Sequence, residues 1–207
     1  MVTRLARRMI LGAAPAILRG RRAAARLRRL PAPIRLCLGS GRAPLQGWTN
    51  LDRDPPADVI LDLRRGFPLP AGSVARIYSE HLIEHLTLEE GAALLRECRR
   101  VLAPEGILRF ATPDLADIVR DYSTGWQRHA WVKWPEYSWI DTGTRMVNVA
   151  MRAWEHQYLY DEPELTLRLR EAGFAAIMRC AIGASDHLDL RGLETREDSG
   201  LILEATP

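Results

Sequence analysis

The sequence predicts an α/β domain: a mostly parallel seven-stranded sheet with helices on both faces, closed by an antiparallel pair of strands. Three observations lead there. From residue 34 onward, short apolar runs alternate with longer helix-periodic stretches, the order of parallel strands and their crossovers. The first three runs stop at Gly39-Ser40-Gly41, Asp52 and Asp62, residues that suit the carboxyl ends of strands. The last two runs, 174–182 and 201–205, read as the closing antiparallel pair.

Taken in order, residues 34–38 form a buried strand, 48–51 a second and 59–61 a third. A fourth, 74–78, runs straight into "SEHLIEHL". Thr87 then opens a helix, and Glu90 three residues on completes a capping box. Leu88, Ala92, Leu95, Cys98 and Leu102 supply its apolar face up to Pro104. Glu105-Gly106 turns the chain into a fifth strand, 107–111, and Asp114 caps the next helix. Regularity is lost between Gly125 and Trp154; Pro163 starts another helix, which Gly173 ends.

A chain of 207 residues with 47% hydrophobic content is long enough for one domain with a sizeable core. The three cysteines are far apart in apolar surroundings, which excludes a zinc ribbon or disulfide framework and fits a reducing cytosol. Residues 1–30 hold nine arginines and no acid, and all 26 acidic residues lie beyond them. The body is therefore mildly acidic, and no nucleic-acid partner is expected. The layout is a basic arm, 1–33, and a domain, 34–207, with an aromatic lid or insert at about 123–160.

The apolar part of the arm, 9–18, is shorter than the ~20 residues a spanning helix needs. Arginines occupy the place of a signal-peptide cleavage site. An organelle transit segment, a leading helix packed on the domain, and a basic segment on an anionic membrane surface remain as readings, with Pro15 and Gly20 breaking any single long helix. A cytoplasmic protein with peripheral membrane contact through residues 1–30 is the expectation.

Gly39 and Gly41 let a ligand approach the backbone after the first strand. Asp52 can accept from both hydroxyls of a ribose, Asp62 from an exocyclic amine, and Leu63 offers an apolar face to a base. Together these describe a nucleoside site. A dinucleotide is disfavoured: Pro44 stands where the fingerprint has its third glycine, and Asp52 follows Gly39 by 13 residues instead of roughly 20.

The strings "LCLGSG", "GWTNLD", "DVILDL", "IYSEHLIEHL", "LRECRRVLAPEGILRFATPDL" and "LREAGF" resemble the successive motifs of class I S-adenosylmethionine-dependent methyltransferases, above all their small bacterial type-11-like branch. The resemblance spans about residues 34–207 and departs at Glu105, where the family usually has glycine. It implies the Rossmann-like methyltransferase fold and S-adenosylmethionine as cofactor. It further implies Gly39, Ser40 and Gly41 against the methionine part, Asp52 on the ribose, and Asp62 with Leu63 at the adenine. Ser79 and Glu80, with His81, close the pocket beside the transferable methyl. The interval after Gly41 is too short for the helix this fold usually places there, so the methionine carboxylate loses the help of a helix N-terminus.

His81, Glu84 and His85 also spell the H-x-x-E-H of inverzincin metalloproteases, with both histidines on one helix face. A zinc site needs a third protein ligand, and Glu155 and His156 occur in no recognised spacing. No metal is expected, and a zinc hydrolase is a distant alternative. Five of the six tryptophans fall in residues 125–160, as lid packing or as an acceptor wall suited to sugar rings. His81 and His156 are the candidate catalytic residues, His156 as a base. The expected function is methyl transfer to an O or N atom of a small-molecule or glycan acceptor. The alternative from another class is a non-catalytic nucleoside-binding module of the same fold. The sequence gives no oligomeric state.

Overall fold

The computed structural model describes residues 16–207, so the basic start of the arm and most of its apolar stretch lie outside the described residues. Seven strands form one sheet: β1 (Ile34–Leu38), β2 (Thr49–Asp52), β3 (Val59–Ile60), β4 (Val74–Glu80), β5 (Leu102–Thr112), β6 (Ala176–Arg179) and β7 (Leu201–Thr206). Their spatial order is β3-β2-β1-β4-β5-β7-β6. β1 to β5 pair in parallel, while β7 runs antiparallel to β5 and β6 antiparallel to β7. This is the expected class. β1 and β4 are neighbours although β2 and β3 separate them in sequence, which puts the topological switch point between them.

Alternation along each strand decides what covers each face. Leu36, Leu38, Ile77, Leu108 and Phe110 point to one side, under α1 (Ala16–Leu27), α2 (Leu88–Val101) and α5 (Glu162–Glu171). α2 forms because Thr87 and Glu90 make the capping box, and it buries Leu94, Leu95, Cys98 and Val101. Each large aliphatic among them contributes about 1.5–3 kcal/mol by leaving water, and Leu95→Ala, at 0% exposure, would open a cavity costing about 2–5 kcal/mol.

The opposite face presents Cys37, Tyr78, Glu80, Arg109 and Glu204, and among the described residues no α-helix contributes to its hydrophobic cluster. Loops cover it instead: residues 39–48 through Leu45 and Trp48, and residues 180–199 through the 3-10 turn Leu188–Leu190. The connections among β1, β2 and β3 are too short for crossover helices. Ion pairs do the anchoring that an apolar helix face would do elsewhere.

Two further observations concern boundaries. α1 packs Ala23 and Leu27 into the main core, and Arg26 reaches Asp58 at 3.6 Å, as in the reading of the arm as a leading helix packed on the domain. The stretch expected to be irregular contains α4 (Gly143–Arg152), capped by the Thr142 hydroxyl, among short 3-10 turns. With α3 (Leu115–Thr124) it forms a separate small core around Ile118, Trp131, Met146 and Val149. The lid is thus a helical lobe standing after β5.

Candidate cofactor and active site

The turn after β1 has the features a ligand needs. Gly39 and Gly41 adopt φ of 70° and 56°, a region open to glycine. A Cβ on Gly39 would stand 3.0 Å from Leu82, so the turns after β1 and β4 are in close approach. Above Gly41 a Cβ would meet nothing within 4 Å. Gly41 N–H donates to Asp52 Oδ2 at 2.9 Å, and Asp54 N–H to Oδ1 at 3.0 Å. A carboxylate has about four acceptor positions, so Asp52 keeps capacity for a diol. Ser40 Oγ, between the two glycines, is sealed from solvent without a hydrogen-bond partner. An orphaned hydroxyl, open space over glycine and a half-used carboxylate fit the methionine and ribose parts of S-adenosylmethionine.

The remaining expected cofactor residues fare differently. Asp62 caps the 3-10 turn Leu63–Arg65, and both its oxygens accept from the Arg64 guanidinium at 2.8 Å. Arg64 holds its carboxyl below the usual range, so an amine must share the oxygens with a guanidinium. Leu63 is buried, with little ring-facing surface. Ser79 is corrected: alternation turns it into the packed face, fully buried, where Oγ donates to Leu38 O at 3.2 Å. Glu80, the next residue, turns to the other face of the sheet. Its carboxylate accepts from Thr195 N–H and Oγ, Arg196 N–H and Ser199 Oγ at 2.6–3.2 Å, which anchors the 194–199 loop.

"SEHLIEHL" is neither a helix nor a zincin face. His81 N–H continues the ladder to Ala111 O at 2.9 Å, and its φ of +50° breaks the strand. Ile83–His85 is a single 3-10 turn, which separates the two histidine side chains. His81 Nδ1 lies 3.1 Å from Glu84 Oε1, while Nε2 faces Ser199 Oγ at 3.2 Å and Asp198 at 3.7 Å. Glu84 is wholly buried, and its Oε2 accepts from Thr112 Oγ1 at 3.1 Å. Burial pushes its carboxyl up, but His81 foremost, with His85 and a backbone contact, together hold it below the usual range.

His85 meets His156 edge-on, ring centroids 5.0 Å apart. Burial pulls the His85 imidazole below its ordinary value. His156 follows two residues at positive φ, Trp154 (57°) and Glu155 (67°), and the Ala150 carbonyl accepts from its Nδ1 at 2.8 Å. One ligand atom each from Glu84, His85 and His156 fall within 4.8 Å of one another. Most of the aromatics pack on each other, Trp154 against Trp131 at 5.2 Å and Tyr137 at 5.5 Å, whereas Trp134 and Trp139 stay exposed.

Sequence reasoning missed two polar networks that hold the site. Asn50, buried in β2, accepts from Leu45 N–H at 2.7 Å and donates to Leu45 O, Trp48 O and Asp58 Oδ2, fixing the helix-free loop after β1. Arg109 in β5, fully buried, pairs with Glu194 at 2.7 Å and Glu204 at 2.6 Å and donates to Ala184 O at 2.9 Å, fixing the loop that carries Thr195 and Ser199. A charged residue inside each of two apolar runs, "ILRFAT" and "LILEAT", was the available signal.

Residues 48–110 match the family model described as a methyltransferase domain. No curated protein matches the chain. Solved structures similar in fold include an S-adenosylmethionine-dependent methyltransferase from Thermotoga maritima (12% identity, TM-score 0.49, 92% of each chain). Others come from Archaeoglobus fulgidus (14%, 0.48, covering 91% of this chain and 94% of that one) and Mesorhizobium loti (18%, 0.48, 91% and 98%). The matched segment runs from β2 into β5 and includes Asp52 and Asp62, while the glycine turn at 39–41 lies before it.

Proposed function

We propose that the chain methylates an oxygen or nitrogen of a small-molecule or glycan acceptor held between the end of β4 and the aromatic lobe. The observation behind this reading is the His81–Glu84 pair at 3.1 Å, at the carboxyl end of the strand beside the glycine turn. S-adenosylmethionine, when bound, supplies an electrophilic methyl group on a sulfonium. In this reading the 39–41 turn and Asp52 hold its methionine and ribose parts, and Asp62 with Leu63 its adenine end. His81 Nε2 takes the acceptor proton after displacing Ser199, while buried Glu84 fixes the ring and offsets the charge it gains. Alignment and exclusion of water supply most of the acceleration, and loop 194–199, pinned by Glu80, provides cover.

His156 is the weaker base, because its Nδ1 is committed to Ala150 and its ring is turned to His85. Exposed Trp134 and Trp139 offer flat faces to a sugar or ring acceptor. No described helix is long and apolar enough to cross a membrane, and Cys37, Cys98 and Cys180 are free, which supports a place in the cytoplasm. α1 spends Ala23 and Leu27 on the core, so any membrane contact rests on its exposed arginines and on the segment before it.

The test is methyl release from labelled S-adenosylmethionine across an acceptor panel, with His81→Ala alongside. Turnover should fall by about 10²–10⁴ in the variant, the usual worth of a positioned base, with cofactor affinity unchanged. Full turnover in His81→Ala would remove the base assignment.

A further inference from the structure

We propose that Glu84, His85 and His156 form a binding site for one divalent transition-metal ion, with zinc the ion that suits the donors best. The proposal shares Glu84 with the methyl-transfer reading, but its test is metal binding and does not depend on turnover. Two imidazole nitrogens and one carboxylate oxygen make a recurrent zinc donor set, which leaves a fourth position for water or an acceptor oxygen. The motif in the sequence pointed to His81 and His85; the fold instead uses the last two letters of H-x-x-E-H and a histidine about seventy residues away.

The surroundings are those of a metal site. A carbonyl only accepts, so the Ala150 contact assigns the His156 proton to Nδ1 and leaves the Nε2 lone pair free. Ligating histidines are commonly oriented in this way, and ligating carboxylates are themselves hydrogen-bonded, as Glu84 is by the Thr112 hydroxyl. Glu84 has 0% exposure, yet its Oε1 has no in-line donor: the His81 ring approaches to 3.1 Å without hydrogen-bond geometry. A buried carboxylate served this incompletely is costly unless a cation completes it.

The two segments that supply the ligands are also tied together. Gln157 N–H and Tyr158 N–H donate to Glu84 O at 2.8 and 3.2 Å, and Gln157 Nε2 to His85 O at 2.6 Å. The non-glycine residues at positive φ, His81, Trp154 and Glu155, all adjoin these segments. Zinc needs ligands at about 2.0–2.2 Å, and rotation of the two half-buried imidazoles closes the present spacing of up to 4.8 Å.

The experiment uses untagged full-length protein stripped with chelator and titrated with zinc chloride by calorimetry. Stoichiometric binding is expected. His85→Ala and His156→Ala should each weaken it by at least about 100-fold, since loss of even an outer-shell partner costs 10–100-fold. His187→Ala should leave it unchanged. Circular dichroism of the variants separates loss of ligand from loss of fold. Should both variants unfold, cobalt(II) added to the unmodified protein decides the matter through the intense visible bands of a tetrahedral nitrogen–oxygen site. Failure of the unmodified protein to bind zinc stoichiometrically, equal binding by folded His85→Ala and His156→Ala, or a cobalt spectrum like that of the hexa-aquo ion would overturn the proposal.

Discussion

Glu194→Ala should be the most damaging single change on the loop-covered face of the sheet. The substitution leaves Arg109 Nε without its 2.7 Å partner in a place where the guanidinium, Glu194 and nearly all of Glu204 are out of contact with water. It also removes the acceptor of Gly183 N–H, 2.9 Å away. Arg109 keeps Glu204 at 2.6 Å, but its Nε and the Gly183 N–H both lose their acceptor, and stranding two such donors, one of them charged, costs about 3–5 kcal/mol together. For a domain of this size each kcal/mol moves Tm by about 2–4 °C, so a fall of roughly 6–20 °C is expected. Replacing the whole triad (Arg109→Met, Glu194→Leu, Glu204→Leu) should cost less than the single change, because no buried charge is then left. Urea unfolding of the parent, single and triple proteins measures all three. A loss below about 1 kcal/mol in Glu194→Ala, or a triple variant less stable than the single, would refute the claim that this network fixes the loop.

Asp52→Ala should weaken S-adenosylhomocysteine binding by about 1.5–3 kcal/mol, roughly 10–150-fold in Kd, while Asp62→Ala should do less because Arg64 already occupies both its oxygens. Calorimetry showing equal affinity in the Asp52 variant and the parent contradicts the ribose assignment. Arg100 holds the Glu97 carboxyl, and Arg120 the Asp121 carboxyl, below their usual range. Folded values lie under the unfolded ones of about 4.3 and 3.9, so this stability is present above those values and lost as pH falls through the folded ones. The urea midpoint should therefore drop between about pH 5 and 3, and Glu97→Gln should flatten the fall; a midpoint that is level over that range contradicts it.

The helix-covered face was legible because apolar runs and caps are local signals: β1 to β5, the Thr87–Glu90 box and the Asp114 cap are all present, though β4 runs on to Glu80 and β5 starts at Leu102, which was expected on the preceding helix. What was not legible depends on partners distant in sequence. Ser79 looked like a pocket residue because the fourth strand was ended too early. β4 runs to Glu80, which fixes Ser79 on the packed side. Glu80 is claimed by a loop about 115 residues away, and nothing near it in sequence announces that. α4 hid among tryptophans, its buried residues Met146, Val149 and Ala150 too few to set a period against them. A leading helix packed on the domain was one reading of the arm, but nothing near Leu27 in sequence showed which core it joins. His85 and His156 were each visible singly, but the backbone bonds from Gln157 and Tyr158 to Glu84 O that join them were not.

The central claim is that S-adenosylmethionine binds at the carboxyl ends of β1 and β4, over the turn in which Ser40 Oγ is buried without a partner. Calorimetric titration of the full chain with S-adenosylhomocysteine tests it most directly. The account predicts a single saturable site, displaced by S-adenosylmethionine. Absence of saturable binding by folded protein would contradict it.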